Sequence, residues 1–335
     1  MTAFVYGATG YVGKLLVHAA VRQGIDVVAG ARSQAVLALA DDYRIPSRVG
    51  GVADIDLAGV SVVLNAAGPF SATAAALAAR CVEHGVHYLD IAGEIAEYEA
   101  VLRLDDRARA AGVMLMPGVG FGVVPTDCLA RHLADRLPGA TTLDIAFLTD
   151  GGVSAGTLRS MTAGFGDRGA VDDPELDRRL VCFPGGDRRC IRNPWRGDLL
   201  TAPRSTGIER VTTWIAVPRL VERAMASAHR RGDPADPPLL TRLLRQAAGM
   251  LPAGPSERAR SKGSAEIWAV ADDGAGGRAE ATLTTPDAYV HTVDAALAIV
   301  ERLGTTSPTP GFRTPAQEFG ADFVLGLDDV VRHDR

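Results

Sequence analysis

Ala3-Phe4-Val5-Tyr6-Gly7-Ala8-Thr9-Gly10-Tyr11-Val12-Gly13 decides the fold of this chain. The four leading apolar residues are too few for a helix and read as a buried strand. The run stops at Gly7, the first of three glycines spaced GxxGxxG. From Tyr11 to Gln23 the residues Val12, Leu15, Leu16 and Ala19 recur at helical spacing, and Gly24 closes that helix. Each glycine answers a physical need. Gly7 permits a tight turn at the strand end. Gly10 lets the backbone approach a pyrophosphate, and Gly13 lets the helix lie close on the sheet. The helix start offers free N–H groups and a partial positive charge to phosphates. Glycines are common in this chain, 37 of 335 residues, so the motif rests on its place between strand and helix.

Outward from this loop, strands and helices alternate. Strands are expected at residues 25–29, 47–49, 60–64, 87–91 and 113–116. Helices are expected at 34–40, 72–83 and 95–111, with Gly85 and Gly112 closing the last two. Continuous apolar strands imply burial on both faces, as in a parallel sheet covered by helices. The predicted fold class is therefore α/β: a Rossmann-type, doubly wound parallel sheet over residues 1–125, followed by a second, α+β domain.

The second strand ends Val28-Ala29-Gly30-Ala31-Arg32-Ser33. An NAD site usually carries an acid there, but Asp26 lies at the wrong end of the strand. Arg32 and Ser33 suit a 2′-phosphate instead, which points to NADPH; the alternative for Arg32 is a solvated loop charge. The predicted cofactor-binding residues are Gly7, Thr9, Gly10, Tyr11, Val12, Gly13, Arg32 and Ser33. To these is added the loop Asn65-Ala66-Ala67-Gly68-Pro69-Phe70, because ligands lie outside the carboxyl ends of parallel strands. Pro69 and Phe70 would wall the nicotinamide, and Asn65 is either a cofactor contact or a turn cap. Asp90 and Glu94 leave the same edge of the sheet. They are the candidate catalytic carboxyls, with helix capping the alternative for Glu94. Asp127 reads as a helix cap or first-turn acid.

Tyr6 to Gly13, Ala29-Gly30-Ala31-Arg32, Asn65 to Phe70, Tyr88-Leu89-Asp90-Ile91-Ala92-Gly93-Glu94 and Pro117-Gly118-Val119-Gly120-Phe121-Gly122-Val123-Val124-Pro125-Thr126-Asp127 together resemble the saccharopine dehydrogenase-like oxidoreductases. That group includes saccharopine reductases and trans-acting enoyl reductases. The likeness is strong over about residues 1–135 and continues loosely through Gly156-Thr157-Leu158-Arg159-Ser160 and Ala288-Tyr289-Val290-His291-Thr292. It implies an NADPH-dependent oxidoreductase that passes hydride to a C=C bond of a polyketide-like or carrier-bound intermediate, in secondary metabolism. The rival it implies is a C=N (imine) reductase of amino-acid metabolism. A third reading is a non-catalytic NADP-binding sensor or scaffold, since fold alone does not fix function.

Residues 126–305 form the expected substrate and dimerisation domain. Strands are expected at 141–148, 211–217, 265–271 and 278–284, and helices at 156–166, 220–229, 239–250 and 289–303. A loop is expected over 167–203 and a hairpin turn at 272–277. The tail, 306–335, would pack back on the first domain through 311–327, and a cleft between domains is the default ligand site. His291 is the histidine of most interest in this half. No tyrosine stands four residues before a lysine, so no acid–base pair of that kind is present. The net charge of −5 offers no footprint for nucleic acid. The most apolar stretch, 110–125, is broken by four glycines and two prolines and cannot span a bilayer. No secretory signal precedes the first strand, so a cytoplasmic location is expected. Four cysteines without a CxxC indicate reduced thiols and no metal site. The expected partner is a small-molecule or carrier-bound substrate, with a homodimer as the assembly.

Overall fold

At the end of β1 (Ala3–Tyr6) the chain turns through Gly7 with a φ of 88°. A Cβ there would stand 2.7 Å from the Ala67 amide nitrogen, so the turn requires glycine both for its dihedral and for its space. The turn leads into α1 (Tyr11–Gln23), and a side chain at Gly13 would collide with the Gly7 carbonyl. The computed structural model describes residues 1–150, 178–216 and 254–335.

β2 (Val27–Ala31), α2 (Ala35–Tyr43), β3 (Ser47–Val49), β4 (Val62–Asn65), α3 (Phe70–His84), β5 (His87–Asp90) and β6 (Met114–Met116) complete the alternation. The strands pair in parallel in the order β13-β6-β5-β4-β1-β2-β3, where β13 (Gly311–Phe312) comes from the far end of the chain. Leu16, Val17 and Ala20 of α1 pack on one face, and Leu77, Ala78 and Cys81 of α3 on the other. This two-sided burial is why β1, β2 and β4 are wholly apolar apart from Tyr6 and Asn65. The helix expected over 95–111 is two helices, α4 (Ile95–Leu102) and α5 (Asp105–Ala110). Leu104 caps α5 with a φ of −94° and ψ of 0°, which ends the first helical run.

α6 (Val124–Arg136) crosses to a second, mixed sheet in the order β14-β12-β11-β7-β10-β9-β8. Its strands are β7 (Thr142–Thr149), β8 (Arg178–Phe183), β9 (Gly186–Arg192), β10 (Arg210–Ala216), β11 (Ser264–Asp272), β12 (Arg278–Pro286) and β14 (Val331–Asp334). The hairpin expected at 272–277 is present. Asp272 Oδ1 accepts from the Gly274 amide, and Asp273 Oδ1 from those of Ala275 and Gly277. The loop expected over 167–203 is corrected where the structure describes it. Residues 178–192 are the β8–β9 hairpin, and α7 (Asp198–Thr206) follows. Four exposed arginines, Arg178, Arg188, Arg189 and Arg192, break the apolar pattern of this hairpin and mask the buried Val181, Phe183, Cys190 and Ile191. The expected helices at 156–166, 220–229 and 239–250, and Gly156 to Ser160, lie outside the described residues.

α8 (Glu257–Arg260) precedes β11, and α9 (Ala288–Thr305) follows β12. After α9 the tail supplies β13, then α10 (Pro315–Phe319), then β14. β13 is held by Asp105, whose Oδ1 accepts from the Phe312 amide at 2.6 Å. α10 starts in a capping box between Thr314 and Gln317, and the Ala316 amide donates to buried Asp127 at 2.8 Å. Among the described residues no helix is long and apolar enough to cross a membrane.

Candidate functional site

Tyr6, Gly7, Thr9, Gly10, Ala31, Arg32, Ser33, Ala66, Ala67 and Gly68 line a cleft of ≈ 480 Å³ above the carboxyl edge of β1, β2 and β4. The sequence-predicted Gly7, Thr9, Gly10, Arg32, Ser33, Ala66, Ala67 and Gly68 therefore come together from three separate segments. No side chain caps α1, whose N-cap is Gly10 itself, so its first amides are open to a ligand. Gly10 is exposed, and a Cβ there would meet only the Gly7 carbonyl, at 3.2 Å. The space beside it is the cradle a pyrophosphate needs, and the donor set fits a dinucleotide. Arg32 is exposed at the end of β2, and its charge acts on Tyr6, although burial dominates and raises the Tyr6 hydroxyl overall. Ser33 Oγ accepts from the Ala35 amide at the start of α2, which leaves its own proton for a phosphate.

Replacing Arg32 with alanine should remove most of the preference for NADPH over NADH. A charge-assisted hydrogen bond contributes about 1.5–3 kcal/mol, a roughly 10- to 100-fold difference in affinity. Titration of both cofactors against both proteins checks this, and equal affinities in the unmodified protein would contradict it.

The side chains of the other predicted residues do not line the cleft. Asn65 is fully buried. Its Oδ1 accepts from the Ala67 amide at 3.0 Å, and its Nδ2 donates to the Tyr88 hydroxyl and to Thr73. Of the two readings given to it, the turn cap is the one its hydrogen bonds match. The Tyr11 side chain turns away from the cleft, although its amide is the first of α1. Its hydroxyl donates to the Pro255 carbonyl at 2.6 Å and accepts from Arg260 at 2.7 Å. Val12 packs its side chain beneath the loop and Gly13 lies close against Gly7, their amides being among the first of α1, and neither Pro69 nor half-buried Phe70 lines the cleft.

The two sheets meet along the loop 117–123, between β6 and α6. Asp90 fastens this loop from below. Its Oδ1 accepts from the amides of Ala92 and Gly118, both at 3.0 Å, and its Oδ2 from the Tyr88 hydroxyl at 2.9 Å. Asp90 is completely buried, and burial pushes its carboxyl up to about 6. The expectation that it faces the cleft as a proton donor is corrected: both oxygens are committed and neither meets solvent.

Glu94 is half-buried and lies on the seam. It precedes α4, its Oε2 accepts from the Gly93 amide, and its backbone bridges to Arg196. Arg196 is 11% exposed. Its Nε donates to Asp198 and its Nη2 to the Gly122 carbonyl, each at 2.7 Å, and its guanidinium sits 4.2 Å from the centre of the Phe147 ring. Phe121 meets Phe147 and His291 edge to face, at 6.3 and 6.2 Å between ring centres. Glu94, Phe121, Phe147, Arg196 and His291 thus enclose the junction with two charges and three rings. Arg196 and Asp198 fall in the stretch read from sequence as loop. Gly197-Asp198 ahead of Leu199-Leu200 is a helix-start signal that would have located them.

A second cleft, of ≈ 750 Å³, lies on the outer side of α1 among Arg22, Arg260, Asp294 and Asp328, and shares no lining residue with the first.

Residues 3–116 match the family described as the saccharopine dehydrogenase NADP binding domain. Over 200 residues the chain is 30% identical to a Mycobacterium tuberculosis protein named as a trans-acting enoyl reductase, covering 52% of this chain and 46% of that protein. It is 25% identical over 196 residues to a Homo sapiens protein named saccharopine dehydrogenase-like oxidoreductase, covering 49% and 46%. The chain thus spans about half the length of these relatives. The solved apo saccharopine dehydrogenase (L-Glu forming) of Saccharomyces cerevisiae shares the fold across 100% of this chain and 99% of its own, with a TM-score of 0.62 at 12% identity. The matched residues 3–116 hold β1 to β6 and every residue lining the glycine-loop cleft, so the cleft lies wholly within the part of the chain that is similar to the saccharopine dehydrogenase NADP binding domain, and NADP is the cofactor it binds.

Proposed function

We propose that this chain is an NADPH-dependent reductase acting on a C=C bond of a polyketide-like or carrier-bound intermediate. The observation that carries this reading is the seam at the carboxyl edge of the first sheet. Phe121 and Phe147 make this seam apolar, which supports a carbon chain as its occupant, and Arg196, paired with Asp198 and laid over the Phe147 ring, brings a guanidinium to its side. The name of the Mycobacterium tuberculosis relative supports the same chemistry. NADPH, when bound, supplies the hydride. The protein's part is to hold the pyrophosphate at Gly7 and Gly10, to hold the 2′-phosphate at Arg32, and to keep water from the junction with the loop 117–123. The reading includes a cytoplasmic setting in secondary metabolism, and a homodimer formed through the second domain.

The NADPH-loaded protein can be mixed with crotonyl-pantetheine and, separately, with an imine formed from an oxo acid and an amine, while NADPH absorbance is followed. Oxidation by the unsaturated thioester is expected. Oxidation by the imine alone would move the chemistry to C=N reduction, and oxidation by neither would favour a sensor. Glu94 is the carboxyl that remains a candidate for the reaction. Changing Glu94→Gln should slow single-turnover oxidation more than about tenfold, equivalent to ~1.4 kcal/mol of barrier. A smaller loss would leave Glu94 a cap for α4.

A further inference from the structure

His291 lies in the first turn of α9, fully buried at 1% exposure. Among the described residues no group hydrogen-bonds to either ring nitrogen. This is unusual, because a buried donor or acceptor without a partner costs stability, and such groups in native proteins call for a role. Burial also holds the imidazolium form down to about 4, so the ring is neutral at physiological pH and carries one N–H donor and one lone pair.

The turn that carries His291 is fixed on both sides. Asp287 caps it by accepting from the Tyr289 and Val290 amides. The Tyr289 ring meets Tyr11 of the glycine-loop helix at 5.2 Å, and Thr292 Oγ1 accepts from the Phe121 amide at 3.1 Å. His291 is thereby held between the start of α1 and the loop 117–123. Those two elements flank the cofactor cleft and the seam.

We propose that His291 donates a hydrogen bond to the carbonyl oxygen of the acceptor in the seam, polarising the conjugated C=C bond for reduction. This rests on the reductase reading above. Hydride with its electron pair adds to the β carbon. The C=C pair shifts so that negative charge gathers on the carbonyl oxygen as an enolate. The enolate takes its proton at the α carbon from water that enters as the product leaves the seam. The His291 N–H stays on nitrogen throughout and stabilises the developing charge. A neutral ring suits this role, because its donor is preorganised in a dry site at no cost in proton transfer.

The proposal separates two substitutions. His291→Leu removes the orphaned polar atoms at similar volume. It should leave the melting temperature equal or higher and the NADPH dissociation constant unchanged, while slowing single-turnover oxidation by crotonyl-pantetheine roughly 100-fold. His291→Gln keeps an N–H donor and should stay within roughly tenfold of the parent rate. In a readout independent of turnover, the unreactive saturated analogue butyryl-pantetheine should shift one His291 ring nitrogen resonance in the NADPH-loaded parent. A leucine variant at parental rate, a leucine variant losing melting temperature and NADPH affinity in step with rate, or an unmoved resonance would each overturn the proposal. If the parent binds NADPH but no unsaturated thioester oxidises it, the reductase reading fails and the proposal falls with it. Parental turnover with an unaffected leucine variant overturns the histidine role alone.

Discussion

Gly10→Val is expected to weaken NADPH binding by roughly 10²- to 10⁴-fold and to leave the melting temperature close to that of the parent. The residue is exposed, its φ of −71° and ψ of 170° are open to valine, and the added Cβ meets only the Gly7 carbonyl, at 3.2 Å. The strand–helix core does not feel the change. The pyrophosphate does, because the methyl groups occupy its place over the amides that begin α1. Two charge-assisted bonds lost at about 1.5–3 kcal/mol each give the range. Gly7 and Gly13 cannot provide so clean a test, since a Cβ at either would strike backbone and disturb the turn itself. Fluorescence titration with NADPH, together with a thermal melt, reads both halves. Affinity within threefold of the parent would show that this cleft does not hold the pyrophosphate.

Asp90→Ala is expected to destabilise the protein by roughly 2–6 kcal/mol, from two buried amides left without an acceptor at about 1–3 kcal/mol each. Those amides belong to Ala92 and Gly118, and their loss would free the loop 117–123 on which the seam is built. Asp90→Asn should behave quite differently. Its oxygen can serve both amides and the buried charge is gone, while its NH₂ donates to the Tyr88 hydroxyl oxygen in exchange for the bond that Tyr88 now donates. The sign of the pH dependence follows from burial. The folded-state pKa of about 6 stands above the ordinary 3.8, so the folded protein binds this proton more tightly than the unfolded chain. Asp90 therefore contributes stability as pH falls from 6 towards 3.8, and it costs stability above 6, where it is ionised. The asparagine variant should match or exceed the parent in denaturant midpoint at neutral pH and lack the parent's gain below pH 6. Its single-turnover rate should remain within about tenfold of the parent. An asparagine variant as unstable as the alanine one would mean that the negative charge itself holds the loop.

Legibility in the sequence divides along local and distant interactions. The first sheet could be read because its signals are local. Apolar runs of four residues made β1 and β4, and Gly24 and Gly85 end α1 and α3 in the left-handed conformation. The cofactor cleft could be read for the same reason, as the strand ends that line it follow directly from the glycine loop and the β2 terminus. Asp90 could not. It stands at the carboxyl edge where a catalytic acid would stand, but its direction is set by the Gly118 amide, 28 residues further on. Arg196 was hidden in another way. It follows an arginine-rich hairpin whose exposed side chains read as loop, and only its docking on Gly122 and Phe147 gives it a role. The direction of the Tyr11 side chain could not be read either, because its partners, Pro255 and Arg260, lie in the other half of the chain.

The last thirty residues place β13 in the first sheet and β14 in the second, one edge strand in each. Two domains joined by a single crossover can be severed into separately expressed pieces, but this chain offers no such cut. Division anywhere between α6 and β13 would leave the amino-terminal fragment with an unpaired β6 edge, and the missing strand would belong to the other fragment. The tail is therefore a strap sewn to both halves. Any opening of the seam must come from its loops, because wide rotation of one sheet against the other would first have to peel the strap away.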